Sequence, residues 1–212
     1  MAWALTGTMP LSVKLHALDG ATPAQAAFVA EAVALLEEAV SDPRFLGAVV
    51  GADYIDTHWS DAEGGTRVFT AAQIATRLGE GRERGTAADQ VIDLAFTLAD
   101  LPGANGPPRM LGSTALGTLP ISTARWFVDR CMAANEGAGD PANLASHFLH
   151  EWCHVSGFFH YPDNKARGDT SYVAGRLVRE TLAERHGARV DPAITALMAD
   201  CETDCGCRGN AG

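Results

Sequence analysis

The stretch His150-Glu-Trp-Cys-His154-Val-Ser-Gly157-Phe-Phe-His160 restricts the fold more than any other part of this chain. On an α-helix, at roughly 100° per residue, His150 and His154 lie about 40° apart and one turn from each other. Two imidazoles at that spacing can share one tetrahedral zinc ion. Glu151 falls on the same side without aiming at the metal centre, where it can hold a water molecule. A straight helix would carry His160 away to one side. Gly157 removes that obstacle, because glycine takes positive φ and lets the chain turn sharply. His160 can then return as a third ligand, and three protein nitrogens leave one corner open, as in catalytic rather than structural zinc sites. The helix needed here opens at Asp140-Pro141, a cap followed by proline in the first turn, and is expected to end at Gly157. The competing reading is a helix whose histidines are buried and merely hydrogen-bonded.

A chain of 212 residues suits one domain, or one domain split by a cleft. The expected division is residues 1–157, including the active-site helix, and 158–212 beyond it. Hydrophobic residues at 47% and charged residues at 20% are enough for a core and argue against wholesale disorder. The net charge of −10 argues against nucleic acid and against an anionic membrane surface as partners. No apolar run of about 18 residues lacks charge, so no transmembrane helix is expected. The start, Met1-Ala-Trp-Ala-Leu5, has no basic region and does not read as a secretory signal. Five cysteines, three of them in the last twelve residues, do not make a disulfide framework.

The remaining elements follow from periodicity and punctuation. Leu11–Leu18 alternates as a strand and turns at Asp19-Gly20. Thr22-Pro23 opens a helix to about Val40. Phe45, Leu46, Val49 and Val50 fit a short helix or a strand, and Tyr54–Trp59 reads as a strand. A Gly-rich turn, a short strand at Arg67–Phe69 and a helix capped by Thr70 come next. Val91–Leu98 is a strand, 102–109 an exposed loop, and Ile121–Met132 is expected to hold a strand around Trp126-Phe127-Val128 that could border the cleft. Tyr172–His186 reads as a helix, with a further helical turn or two in 191–200. Helix and strand are mixed, with helices gathered toward the C-terminal end, so the class is α+β.

The segment His150–His160 resembles the zinc-binding signature of the metzincin metallopeptidases. The resemblance implies His150, His154 and His160 as ligands of one zinc ion, Glu151 as general base, and a peptide or protein as substrate. It also implies an N-terminal twisted mixed sheet with packed helices and a small, mainly helical C-terminal subdomain. Metzincins carry a methionine turn beneath the zinc. Here Gly168-Asp-Thr-Ser-Tyr172 stands where that turn is expected, and the downstream methionine is Met198. Either Met198 serves, or the chain represents a divergent group without the turn. Zinc in such a site would polarise the scissile carbonyl and acidify water, while Glu151 takes the proton and passes it to the leaving amine. Tyr172 and Tyr161 are candidates for stabilising the oxyanion, because some metzincins use a tyrosine this way; for each the default reading is a half-buried packing residue.

Other residues admit two readings each. His147 is a rival ligand or cleft residue, or a supporting histidine behind the metal. Cys153 is a thiolate ligand or an inert buried thiol. Cys201, Cys205 and Cys207 could bind a second metal, bridge to Cys131 or form a loose tail. Asp163 could substitute as an oxygen ligand, orient a histidine or be a solvated loop acid. At the level of function, a zinc peptidase competes with a non-proteolytic zinc-binding protein and with a zinc hydrolase of a non-peptide amide. Glu151 argues against the non-proteolytic reading, because a structural site needs no base there.

Overall fold

A computed structural model of the chain describes residues 11–106, 109–160, 168–187 and 190–200. Its central strand is β4 (Val91–Ala99), where Ile92, Leu94, Phe96 and Leu98 are buried and the residues between them half-buried. That period-2 pattern puts one face of a sheet against a core. β1 (Ser12–Asp19) runs parallel to β4 on one side and β6 (Ile121–Ala124) runs parallel on the other. β5 (Gly112–Ser113) closes the far edge antiparallel to β6, giving a mixed sheet in the order β1-β4-β6-β5.

Helix α1 (Pro23–Val40) starts as its sequence predicts. Thr22 caps it, and Gln25 reaches back to the Thr22 backbone, completing a capping box. α2 (Pro43–Gly51) resolves the ambiguity over residues 44–51 in favour of helix, with Asp42 accepting from the Arg44 N–H at its N-terminus. Of the expected strand Tyr54–Trp59, only the end is sheet. β2 (His58–Ser60) pairs with β3 (Thr66–Val68) as a separate two-stranded hairpin. α3 (Ala71–Gly79) follows, capped by Thr70.

The strand expected around Trp126-Phe127-Val128 is a helix. β6 stops at Ala124, and α4 (Arg125–Ala133) takes over at once. Phe127, Val128 and Cys131 are its buried residues, a spacing of one and four that belongs to a 3.6-residue period. Trp126 and Phe127 therefore border no cleft as part of a strand. Trp126 instead donates from Nε1 to the Pro102 carbonyl.

α5 (Pro141–Val155) runs through the middle of the molecule, and every residue from Ala142 to Val155 is buried. Phe148 packs on the sheet with its ring centroid 4.2 Å from that of Phe96. α6 (Thr170–His186) crosses the other side closely at Gly175, where a Cβ would stand 2.8 Å from the Ser146 carbonyl. α7 (Pro192–Asp200) completes seven α-helices among the described residues. The class is α+β with a mixed sheet, as the sequence predicts. No described helix is long and apolar enough to cross a membrane.

Candidate metal centre

A helix buried all round should carry only apolar residues, yet α5 also buries Asn143, Ser146, His147, His150, Glu151 and His154. Buried polar groups are tolerated when bonded, and here they are. Asp140 accepts from the Asn143 backbone and side chain. Arg179 on α6 donates to Ser146 Oγ at 2.8 Å. The remaining four form two groups on neighbouring sides of the helix.

The first group is the histidine cluster. The side-chain nitrogens of His150, His154 and His160 lie within 4.8 Å of one another. Nε2 of His150 and Nε2 of His154 are 3.3 Å apart. Two ligands of a tetrahedral zinc, each about 2.0–2.1 Å from it, stand about 3.3 Å from each other, so the spacing matches a shared ion. The opposite ring nitrogens are oriented from behind. His154 Nδ1 is 2.8 Å from the Phe158 carbonyl, and His160 Nδ1 is bonded to the Asp169 carboxylate. A histidine held this way presents Nε2 to an ion with its tautomer fixed, and a carboxylate partner raises the basicity of the ring.

His160 reaches the cluster because the chain reverses after α5. Gly157 has φ +107°, and a Cβ there would sit 2.6 Å from both the Ser60 carbonyl and Trp59 Nε1. Only glycine takes that conformation with that approach. The returning segment is then stitched to β2. Ser60 N–H donates to the Gly157 carbonyl, Phe158 bridges Trp59, and Phe159 N–H donates to the His58 carbonyl. Trp59 Nε1 and Arg77 Nη2 both donate to the Ser156 carbonyl, at 2.8 and 3.0 Å.

Asp169 has two tasks. Its Oδ2 holds His160 while its Oδ1 accepts from the Tyr172 N–H and caps α6. The cap fixes Tyr172, whose ring centroid lies 4.4 Å from that of His150 and stacks 5.1 Å from that of His160. Tyr172 thus packs against two of the three imidazoles. The sulfur of Met198 lies 3.9 Å from Arg179 Nη1 on α6.

The second group surrounds Glu151, which is 2% exposed. Thr114 donates from Oγ1 to Glu151 Oε2 at 2.6 Å. Glu151 Oε1 is 3.8 Å from His147 Nδ1, and His147 Nε2 is 3.4 Å from Thr123 Oγ1. Gly112 on β5 leaves the room for this, since a Cβ there would stand 2.6 Å from Glu151 Oε1. His147 is therefore a neighbour of Glu151 and stands outside the three-histidine cluster. Cys153 is fully buried, and desolvation pushes its thiol well above the ordinary range, so it stays an inert thiol. Cys131 is likewise buried and unbridged.

Sequence reasoning missed Thr114 and Asp169 as partners. Asp169 carried a signal as a helix cap before Thr170-Ser171, but nothing in the spacing tied it to His160. The candidates Tyr161, Asp163, Cys201, Cys205 and Cys207 lie outside the described residues. Comparison of the chain with models of known protein families, with curated proteins and with solved structures finds no match.

Proposed function

We propose that this chain is a zinc-dependent peptidase of the metzincin type. The observation that carries the reading is the convergence of His150, His154 and His160, with two of the three rings oriented from behind by a carbonyl and a carboxylate. Imidazole nitrogens in a cluster of three suit zinc, and the set leaves a corner for water or substrate. Bound there, zinc would supply a Lewis acid for the scissile carbonyl and would acidify water.

The protein groups supply the rest. Thr114 donates to Glu151 Oε2 and holds the carboxylate in place. Glu151 is assigned to take a proton from water during attack and to return it to the leaving amine nitrogen. Burial keeps bulk water from competing for the same carboxylate. Tyr172, wedged against His150 and His160, is assigned to steady the oxyanion with its hydroxyl, in addition to packing against both rings.

The test is Glu151→Gln. The variant is expected to keep about one zinc per chain by elemental analysis and to lose cleavage of casein and of quenched peptides. A fully active variant would remove Glu151 from the mechanism. Wild-type protein that binds zinc tightly and cleaves no peptide in an unbiased library would exclude the peptidase reading.

A further inference from the structure

Apart from the histidine cluster, α3 and the β2–β3 hairpin border an open pocket of about 440 Å³, within the size range of small-molecule sites. Trp59 and Phe69 line it, their rings stacked with centroids 5.1 Å apart. Arg77 lines it too, with its guanidinium 5.0 Å from the Trp59 ring centroid. This arginine is only 6% exposed. Its Nη2 donates to the carbonyls of Glu83 and Ser156, and these are its only hydrogen-bond acceptors among the described residues. Its Nε is buried with no acceptor among the described residues.

A buried guanidinium held by two carbonyls, with Glu80 and Glu83 acting on it only through space, is under-compensated, because burying a charge without a directly bonded counter-charge is costly. Desolvation, helped by the charge of Arg82, outweighs the opposing pull of Glu80 and Glu83 and brings the Arg77 pKa down to about 10. The hairpin acid Asp61 does not neutralise it. Asp61 is engaged by Arg67 at 3.6 Å and by the Gly65 N–H at 2.6 Å. Glu63 and Glu80, also on the lining, oppose a ligand of high negative charge. The wall thus sets the Arg77 guanidinium beside an aromatic pair, in a lining that also carries Arg67 and Arg82 against Asp61, Glu63 and Glu80.

We infer that this pocket binds a small aromatic monocarboxylate, with the carboxylate against the Arg77 guanidinium and the ring beside Trp59 and Phe69. A carboxylate supplies the charge-assisted acceptor that the guanidinium lacks. A flat apolar body fits the aromatic lining better than a hydrated inorganic anion does.

The test uses the full chain and sodium benzoate at constant ionic strength, followed through the tryptophan indole N–H signals. Benzoate is expected to shift the Trp59 signal saturably and to leave that of Trp126, outside the pocket, in place. Sodium chloride and benzyl alcohol are expected to do neither. Thr76 is exposed on the pocket rim. Thr76→Trp fills the space with Arg77 intact and should weaken benzoate about tenfold or more. Arg77→Lys should do the same, and if that variant fails to fold, the Thr76→Trp comparison decides alone. A shift that never saturates, equal binding by Thr76→Trp, or tighter binding of inorganic phosphate than of benzoate would each overturn the assignment.

Discussion

His150 and His154 ride on a helix buried along its whole length, whereas His160 sits on a segment that doubles back over the β2–β3 hairpin. The first pair is placed by helical geometry alone, since any α5 that forms sets their rings one turn apart. The third ring is placed by contacts from three other parts of the chain: Trp59 and Ser60 on β2, Arg77 on α3, and Asp169 at the start of α6. Half of this candidate site is therefore local and rigid. The other half is assembled from a distance, and damage to it should show first as lost metal rather than lost fold.

Removing a ligand should have the largest effect on metal uptake. His154→Ala and His160→Ala are both expected to abolish zinc uptake at micromolar supply, read by elemental analysis after dialysis. His147→Ala should retain zinc, because His147 is turned toward Glu151 and Thr123. Zinc lost with His147→Ala and kept with His160→Ala would reassign the third ligand. The two ligand variants should also part company in the metal-free state. His154 is fully buried and His160 half-buried, so His154→Ala should lower the melting temperature more.

Gly157→Ala attacks the join between the two regions. The added Cβ meets backbone and indole atoms at 2.6 Å, and alanine is strained at φ +107°. The expected cost is about 2–4 kcal/mol of stability by denaturant unfolding, together with weaker zinc binding. A variant of unchanged stability would mean that the turn does not need glycine. Asp169→Asn is milder. It keeps a helix cap and a hydrogen-bonding side chain but loses the charge behind His160. Zinc affinity should fall about 10–100-fold, the usual effect of losing such a partner, with little change in melting temperature. An unchanged affinity would show that His160 is oriented by the turn alone.

The same division explains what could be read from the sequence. The caps at Thr22, Thr70 and Asp140, the alternation in β4 and the histidine spacing in α5 are all short-range signals, and the corresponding elements are present. α4 was hidden because a true strand of four residues runs into it without a turn residue, and Trp126-Phe127-Val128 is as apolar as any strand. β5 is two residues long, too short for any alternation to show. The hydroxyl of Thr114 lies 37 positions from Glu151, and no local pattern connects them. The polar partners that orient the candidate site come from folding at a distance, and so does the buried environment of Arg77.

A control at the small end of the scale lies in Asp42, a local feature away from the histidines. Asp42 caps α2, and the Arg44 side chain beside it holds its carboxyl at about 2, below the ordinary 3.8. A depressed carboxylate pKa stabilises the fold above the unfolded value and loses that contribution as pH falls through the folded one. The contribution is therefore complete above about pH 4 and fades between pH 4 and 2. Because Arg44 is largely exposed, the cap and its ion pair are expected to give about 1 kcal/mol. Asp42→Ala should lower stability by that amount at pH 6 and by progressively less toward pH 2, while zinc affinity at pH 7 stays unchanged. A loss of zinc affinity in this variant would show that α2 is coupled to the histidine cluster and would break the separation between local and assembled regions.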